Sequence, residues 1–177
     1  MPLRQPFPDL WLLSDERNDA GLEDALRRLP RGSGFIYRHY HLPDRERIAR
    51  WFELRHIARA RGHLIVLADS SLTAREWGAD GIYGPPRALY PTSRLVTLAT
   101  AHSLREVGDA NRARADAVLL SPVFPTRSHP GALPLGPLRF RLLAGHARMP
   151  VIALGGMTPR SAGRLAWPRW AAIDGLS

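Results

Sequence analysis

Polar residues that could carry chemistry are concentrated directly after short apolar runs in this sequence. Two such segments stand out, residues 121–131 (SPVFPTRSHPG) and residues 150–159 (PVIALGGMTP). The first is too long and too rich in hydroxyl groups to be a simple connector. The second places Gly155 and Gly156 where backbone N–H groups can approach an anion without interference from a Cβ atom. Together they predict a phosphate site, although a tight turn into a helix would need the same glycine pair.

If the glycine pair does bind phosphate, the substitution Gly156→Val should block the anion without unfolding the protein. Other capable side chains follow further apolar runs, among them Arg38, Asp69 and Thr100. His102 and His129 could carry a proton, but a solvated or capping histidine is the more ordinary explanation of each.

The composition limits the chemistry that these residues can do. The chain has 177 residues and no cysteine, which excludes disulfides, thiolate metal sites and cysteine nucleophiles. All 25 cationic residues are arginine, and the formal net charge is +9. They are scattered in ones and twos, with no basic run interleaved with aromatic residues, so nucleic-acid binding is disfavoured. Because a guanidinium group can bind phosphate through two hydrogen bonds, the arginine content favours small phosphorylated substrates instead.

The sequence predicts neither a membrane span nor a signal peptide. No stretch approaches 18 consecutive apolar residues, and the first nine residues lack both the basic and the apolar region of a signal peptide. We therefore expect a cytoplasmic protein that makes no membrane contact.

The elements that must position these side chains alternate along the chain. Short runs rich in Val, Ile and Leu predict eight buried parallel strands, of which the fourth and eighth are weaker. They lie at residues 10–13, 34–37, 63–68, 81–83, 95–100, 117–120, 151–154 and 170–173. Helical patterns lie between them at residues 22–29, 44–61, 103–114, 138–148 and 159–166.

This alternation predicts an α/β fold, a compact (β/α)8 TIM barrel in one domain over residues 1–177. Because a typical barrel has about 250 residues, some helices must be short or missing, and we expect this after the fourth and eighth strands. An open doubly wound sheet is the competing architecture. Missing helices would expose apolar barrel wall near Trp167 and Trp170, so we expect a homodimer that covers it.

Several motifs occur in an order and spacing that resemble a known family. They are LWLLSDER, RGHLIVLADS, GADGIYG, ATAHSLREV, DAVLLSPVFPT and VIALGGMTP, which together span nearly the whole chain. The set resembles the thiamine-phosphate synthase and thiazole tautomerase superfamily of compact (β/α)8 barrels. The resemblance implies a synthase that joins a pyrimidine diphosphate to a thiazole phosphate with Mg²⁺ and releases pyrophosphate.

The resemblance also implies roles for individual residues in the diphosphate half of the site. Of the family's Q-x-R-x-K pattern after the second strand only Arg38 is kept. Asp69 matches a magnesium-binding Asp, but the Asn before it is Ala68 and the second metal-binding Asp is missing. Thr100 matches a catalytic-site Ser. A single carboxylate rarely holds Mg²⁺ well unless the substrate's own oxygens complete the octahedron.

The thiazole-phosphate half is better kept. The family's T-x-T-K pattern appears as Thr126, Arg127, Ser128 and His129, with both hydroxyl groups present and the lysine replaced. The glycine that holds the phosphate matches Gly155 or Gly156, and Ser177 matches a Ser beyond the eighth strand. Because Pro122 stands where the tautomerases carry a His, that activity is not supported.

Two functions remain open at this stage. The first is an enzyme of thiamine biosynthesis similar to thiamine-phosphate synthase, in which Asp69 holds the metal and Arg38 neutralises the departing pyrophosphate. The second is a non-catalytic barrel that binds a thiazole or thiamine phosphate. In this second interpretation Asp69 and Arg38 form an ordinary ion pair at the barrel mouth.

Overall fold

The eight predicted strands close into a barrel. The computed structural model describes residues 7–89, 95–127, 131 and 133–176. All neighbouring strands are parallel, and β8 pairs with β1, so the barrel is confirmed and the open sheet is excluded. The strands are β1 Leu10–Leu13, β2 Gly34–Tyr37, β3 Leu64–Leu67, β4 Gly81–Gly84, β5 Val96–Ala101, β6 Ala117–Leu120, β7 Val151–Ala153 and β8 Trp170–Ala172.

Six helices cover the described part of the barrel. They are α1 Leu22–Arg28, α2 Asp44–Ala60, α3 Ser71–Glu76, α4 Leu104–Ala113, α5 Gly136–Ala144 and α6 Pro159–Leu165. Within the described residues, short 3-10 turns, Pro86–Ala88 and Asp174–Leu176, follow β4 and β8, the two strands after which short or missing helices were predicted. The helix predicted at residues 138–148 is α5, and its bounds differ from the prediction. It starts earlier, because Pro137 suits the first turn of a helix, and it ends before Gly145.

Side chains of alternate strand residues fill the barrel interior. Trp11 and Leu13 of β1, with Leu98 of β5 and Leu119 of β6, belong to this inner apolar cluster. Trp11 occupies so much of it that a Cβ atom at position 34 would lie 2.1 Å from the indole. Gly34 is therefore required for Trp11 to fit, and the interior is a packed core with its functional groups restricted to the ends.

Trp167 packs against its neighbours, whereas the sequence predicted an exposed apolar wall near it. Its indole N–H donates to the Val151 carbonyl oxygen at 2.8 Å, and its ring meets Phe140 of α5 edge-on at 5.1 Å. The more exposed apolar side chains of this region are Leu138 and Leu142 of α5, 74% and 62% exposed. The homodimer stays a prediction. Among the described helices, none has the length and apolar character that crossing a membrane requires.

Candidate functional site

A cavity of about 520 Å³ opens at the carboxyl ends of β6, β7 and β8. Its wall includes four of the residues that the sequence singled out: Arg38, Thr126, Gly155 and Gly156. Arg127, beside Thr126, also lies in the wall. The structure thus brings the loop after β6 and the glycine pair after β7 to one concave surface, at the end of a parallel barrel where ligands bind.

Both glycines are required by the way these two loops pack. Gly155 has φ +96° and Gly156 has φ +62°, values that side-chain-bearing residues rarely adopt. A Cβ atom would lie 2.6 Å from Pro122 Cα at position 155, and 2.5 Å from the Pro125 carbonyl oxygen at position 156. The expectation that Gly156→Val would leave the fold intact is therefore wrong, because the valine would collide with the backbone of the β6 loop.

The glycine turn also leaves donors for a ligand. Within the described residues, the N–H groups of Gly155 and Gly156 donate to no acceptor, whereas the Gly155 carbonyl oxygen accepts from the Phe124 N–H at 3.0 Å. The tight turn and the anion site, which the sequence presented as alternatives, are therefore compatible. The next element is fixed independently: Thr158 and Ser161 form a reciprocal capping box at the start of α6.

Arg38 is held in place by the end of β1. Its Nη2 donates to Asp15 Oδ2 at 2.6 Å, and its Nε donates to the Ser14 carbonyl oxygen at 3.1 Å. Burial acts to raise the pKa of Asp15, but hydrogen bonds from Arg17 and the charges of Arg17 and Arg38 outweigh it and lower that pKa. Arg38 lines the main cavity and also a smaller one of about 180 Å³ between the β1 and β2 ends.

Asp69 has a partner that the sequence analysis missed. Arg47 of α2 donates through Nη1 to Asp69 Oδ2 at 2.6 Å, and the side chain of Arg47 is only 10% exposed. The proposed ion pair between Arg38 and Asp69 is therefore wrong, because each residue pairs elsewhere. A signal existed: Arg47, Trp51, Leu54 and Ala58 share one helical stripe, so an arginine interrupts a buried apolar face.

The donors around Asp69 do not fit Mg²⁺. Asp69 Oδ1 accepts from the Ser70 N–H at 2.7 Å, while Oδ2 faces the Arg47 guanidinium. Burial acts to raise the pKa of Asp69, but hydrogen bonds from Arg47, Ser70 and Thr73 outweigh it and lower that pKa. Among the residues described, no group of three or more His, Asp or Glu side chains could hold a metal ion. Mg²⁺ prefers an octahedron of oxygens, and a neighbouring guanidinium repels it.

The remaining predicted residues are not all at the cavity. Thr100 shares the inward face of β5 with Leu98 but does not line the cavity wall. Ser128, His129 and Ser177 lie outside the described residues. Tyr83 of β4, which the sequence analysis did not select, packs against the inner cluster. Burial raises the pKa of Tyr83 against the influence of the nearby Arg38.

Fold and site together define a (β/α)8 barrel with a cavity at the carboxyl ends of β6, β7 and β8. The chain belongs to the thiamine monophosphate synthase family, whose model matches residues 11–173. It is 30% identical over 168 residues to a thiamine-phosphate synthase of Chlorobium luteolum, covering 89% of this chain and 78% of that one. It is 31% identical over 135 residues to that of Chloroflexus aurantiacus, covering 71% and 62%.

A solved structure agrees with the sequence relatives. The thiamine phosphate pyrophosphorylase from Pyrococcus furiosus superposes with a TM-score of 0.78 at 25% identity. The match covers 93% of this chain and 85% of that chain, so the resemblance extends over the whole barrel.

Proposed function

We propose that this chain is a transferase of the thiamine-phosphate synthase type. It joins a hydroxymethylpyrimidine diphosphate to a thiazole phosphate and releases pyrophosphate. The observation that carries the proposal is the cavity of about 520 Å³ at the barrel mouth, where the uncommitted N–H groups of Gly155 and Gly156 lie in one wall with Thr126 and Arg127. The family and the names of the relatives support the same activity.

In this proposal the thiazole phosphate occupies the half of the cavity built by the β6 and β7 loops. The Gly155 and Gly156 N–H groups donate to phosphate oxygens, and Arg127 supplies positive charge at the rim. The β6 loop cannot move closer and cover these N–H groups, because Pro122 and Pro125 already pack against the two glycines. The donors are therefore preorganised for an anion.

Arg38 acts in the pyrimidine half of the site. In the reaction the bond from the pyrimidine methylene carbon to the diphosphate oxygen breaks, its electron pair leaves with pyrophosphate, and the thiazole nitrogen bonds to that carbon. Ser14 and Asp15 hold Arg38 between the two cavities. Its positive charge therefore stabilises the negative charge that develops on the leaving pyrophosphate. Because Arg47 and Ser70 donate to the two Asp69 oxygens, the described residues assign Mg²⁺ no place in this step.

A second function, a non-catalytic phosphate-binding barrel, is favoured by the Arg47–Asp69 pair. The one carboxylate kept from the family's metal site is occupied by a guanidinium. Such a barrel would retain the thiazole-phosphate half and lack turnover.

One experiment separates the two functions. The purified chain is incubated with hydroxymethylpyrimidine diphosphate and thiazole phosphate, in Mg²⁺ or in EDTA, and thiamine phosphate and pyrophosphate are both quantified. Equimolar formation of the two products supports the transferase. The absence of product, with thiazole phosphate still bound in a calorimetric titration, supports the binding barrel. The absence of both product and binding overturns both functions.

A further inference from the structure

Ser121 and His102 form a pair at the cavity that neither proposed function uses. Ser121 follows β6 and His102 follows β5, the neighbouring strand. His102 Nδ1 lies 3.0 Å from the Ser121 carbonyl oxygen and 3.2 Å from Ser121 Oγ. A serine hydroxyl beside an imidazole nitrogen is the arrangement from which nucleophilic catalysis could arise.

The carbonyl oxygen decides the protonation of His102. A carbonyl oxygen can only accept a hydrogen bond, so Nδ1 must carry the hydrogen that it receives. A protonated Nδ1 cannot accept a proton from Ser121 Oγ. His102 therefore cannot act through Nδ1 as a base for Ser121. A serine nucleophile activated by His102 Nδ1 is excluded, and the Ser121 hydroxyl hydrogen is left to donate elsewhere.

The cavity offers the Ser121 hydroxyl room for an acceptor. Ala117 and Leu119 of β6 belong to the inner cluster, and Ser121 continues that inward-facing alternation. Ser121 is 8% exposed and lines the cavity wall. Within the described part of the chain, its Oγ has no hydrogen-bond partner other than His102.

We propose that Ser121 contacts the ligand. Its hydroxyl donates a hydrogen bond to a phosphate oxygen of the phosphorylated heterocycle, and His102 is its positioning residue. The His102 backbone N–H donates to Glu106 Oε2, which anchors the backbone that carries the imidazole to the first turn of α4. This inference rests on the proposed function only in that the cavity holds such a ligand, and it does not require turnover.

A spectroscopic measurement tests the protonation of His102 without any ligand. Long-range ¹H–¹⁵N correlation at a pH where histidine is neutral reports which ring nitrogen carries the hydrogen. The His102 signals are assigned by their disappearance in His102→Asn. We expect the hydrogen on Nδ1, and a hydrogen on Nε2 alone would overturn the inference.

A binding measurement tests the contact itself. Thiazole phosphate is titrated into wild type, Ser121→Ala and the control Ser33→Ala, which removes a buried hydroxyl that donates to the Pro30 carbonyl oxygen. We expect about a tenfold loss of affinity for Ser121→Ala and none for Ser33→Ala. His102→Leu should weaken binding, whereas His102→Asn, which keeps an N–H donor, should restore most of it.

The outcomes separate this inference from the proposed function. Equal affinity of wild type and Ser121→Ala for thiazole phosphate overturns the contact and leaves the cavity assignment standing. A wild type that binds neither thiazole phosphate nor inorganic phosphate overturns both. Binding that depends on Ser121 in a chain that forms no thiamine phosphate supports the inference and removes only the transferase.

Discussion

Arg47 and Asp69 form a largely buried ion pair that joins α2 to the end of β3, with Nη1 and Oδ2 2.6 Å apart and side-chain exposures of 10% and 28%. Arg47 Nη2 also donates to the Ala68 carbonyl oxygen, and its Nε donates to the Arg38 carbonyl oxygen, both at 3.1 Å. A single guanidinium thus ties the ends of β2 and β3 together. Asp69 holds that guanidinium in place and thereby supports the backbone that carries Arg38.

The first prediction concerns the stability of this pair. Asp69→Asn leaves the Arg47 guanidinium without a counter-charge, so the free energy of unfolding should fall by about 2 kcal/mol, less than for a fully buried pair. The control is Asp24→Asn, which breaks an exposed pair with Arg27 and should cost about 0.5 kcal/mol or less. Urea unfolding of both variants measures the difference. Equal stability of the two variants would refute the structural role of Asp69.

The second prediction concerns divalent metal. Because both Asp69 oxygens accept from donors and one donor is cationic, the chain without ligand should not bind Mn²⁺, a spectroscopic substitute for Mg²⁺. The electron paramagnetic resonance signal of free Mn²⁺ should keep its intensity when the protein is added, whereas EDTA should abolish it. A signal that wild type quenches and Asp69→Asn does not would identify Asp69 as a metal ligand.

The third prediction concerns the glycine turn. Gly156→Ala places a Cβ atom against the Pro125 carbonyl oxygen at a positive φ, so it should destabilise the fold by about 2 kcal/mol or more. The matched control is Gly163→Ala, where the added Cβ would meet nothing within 4 Å inside α6. That change should raise stability by up to about 1 kcal/mol. Thermal unfolding compares them, and a Gly156→Ala variant as stable as wild type would contradict the close packing of Gly156 against Pro125.

The fourth prediction concerns His39, which is buried in the loop after β2. Its Nε2 lies 2.8 Å from Asp19 Oδ1, which can only accept, and its Nδ1 lies 2.8 Å from Ser14 Oγ. Burial lowers the pKa of His39, and nearby His41 and Arg50 act in the same direction, against the opposing effect of Asp19. The neutral ring is therefore the form that the folded protein stabilises.

The sign of the pH dependence follows from that lowered pKa. Below a pH of about 6.5, His39 binds a proton in the unfolded chain but not in the folded protein. The contribution of His39 to stability is therefore complete above this pH and is lost as the pH falls toward the folded pKa. His63, whose pKa burial also lowers, adds to the same loss. The carboxylates with lowered pKa, such as Asp15 and Glu23, lose their contribution only as the pH falls below their ordinary values of 3.8 and 4.5. Urea unfolding at pH 7.5 and 5.5 measures the effect, and His39→Gln should weaken it. A wild type no less stable at pH 5.5 would contradict the prediction.

The sequence predicted the barrel because buried parallel strands have a simple pattern. Runs such as Leu10–Leu13 and Ala117–Leu120 are apolar throughout and end in polar residues, so their bounds and order could be read directly. Gly155 and Gly156 could be selected as candidates because they directly follow such an apolar run. Arg47 was not, because an arginine in a charge-rich helix looks solvated, and its contact with Asp69 depends on how closely α2 packs against β3.

The hydroxyl groups around the cavity show the same limit. Alternation along β5 places Thr100 on the inner face, but only the three-dimensional position of the cavity shows that Ser121 lines it and Thr100 does not. A pattern of residues gives the face of a strand. It does not give the distance between loops that follow different strands.

The central claim is that the Gly155 and Gly156 N–H groups bind the phosphate of a phosphorylated heterocycle, and amide NMR tests it most directly. Thiazole phosphate is added to ¹⁵N-labelled protein, and ¹H–¹⁵N correlation spectra are followed to saturation. We predict downfield proton shifts for both glycine amides, as for N–H groups that gain an anionic acceptor, and no shift for Gly108 in α4. Unmoved Gly155 and Gly156 amides while other amides respond to the same ligand would contradict the claim.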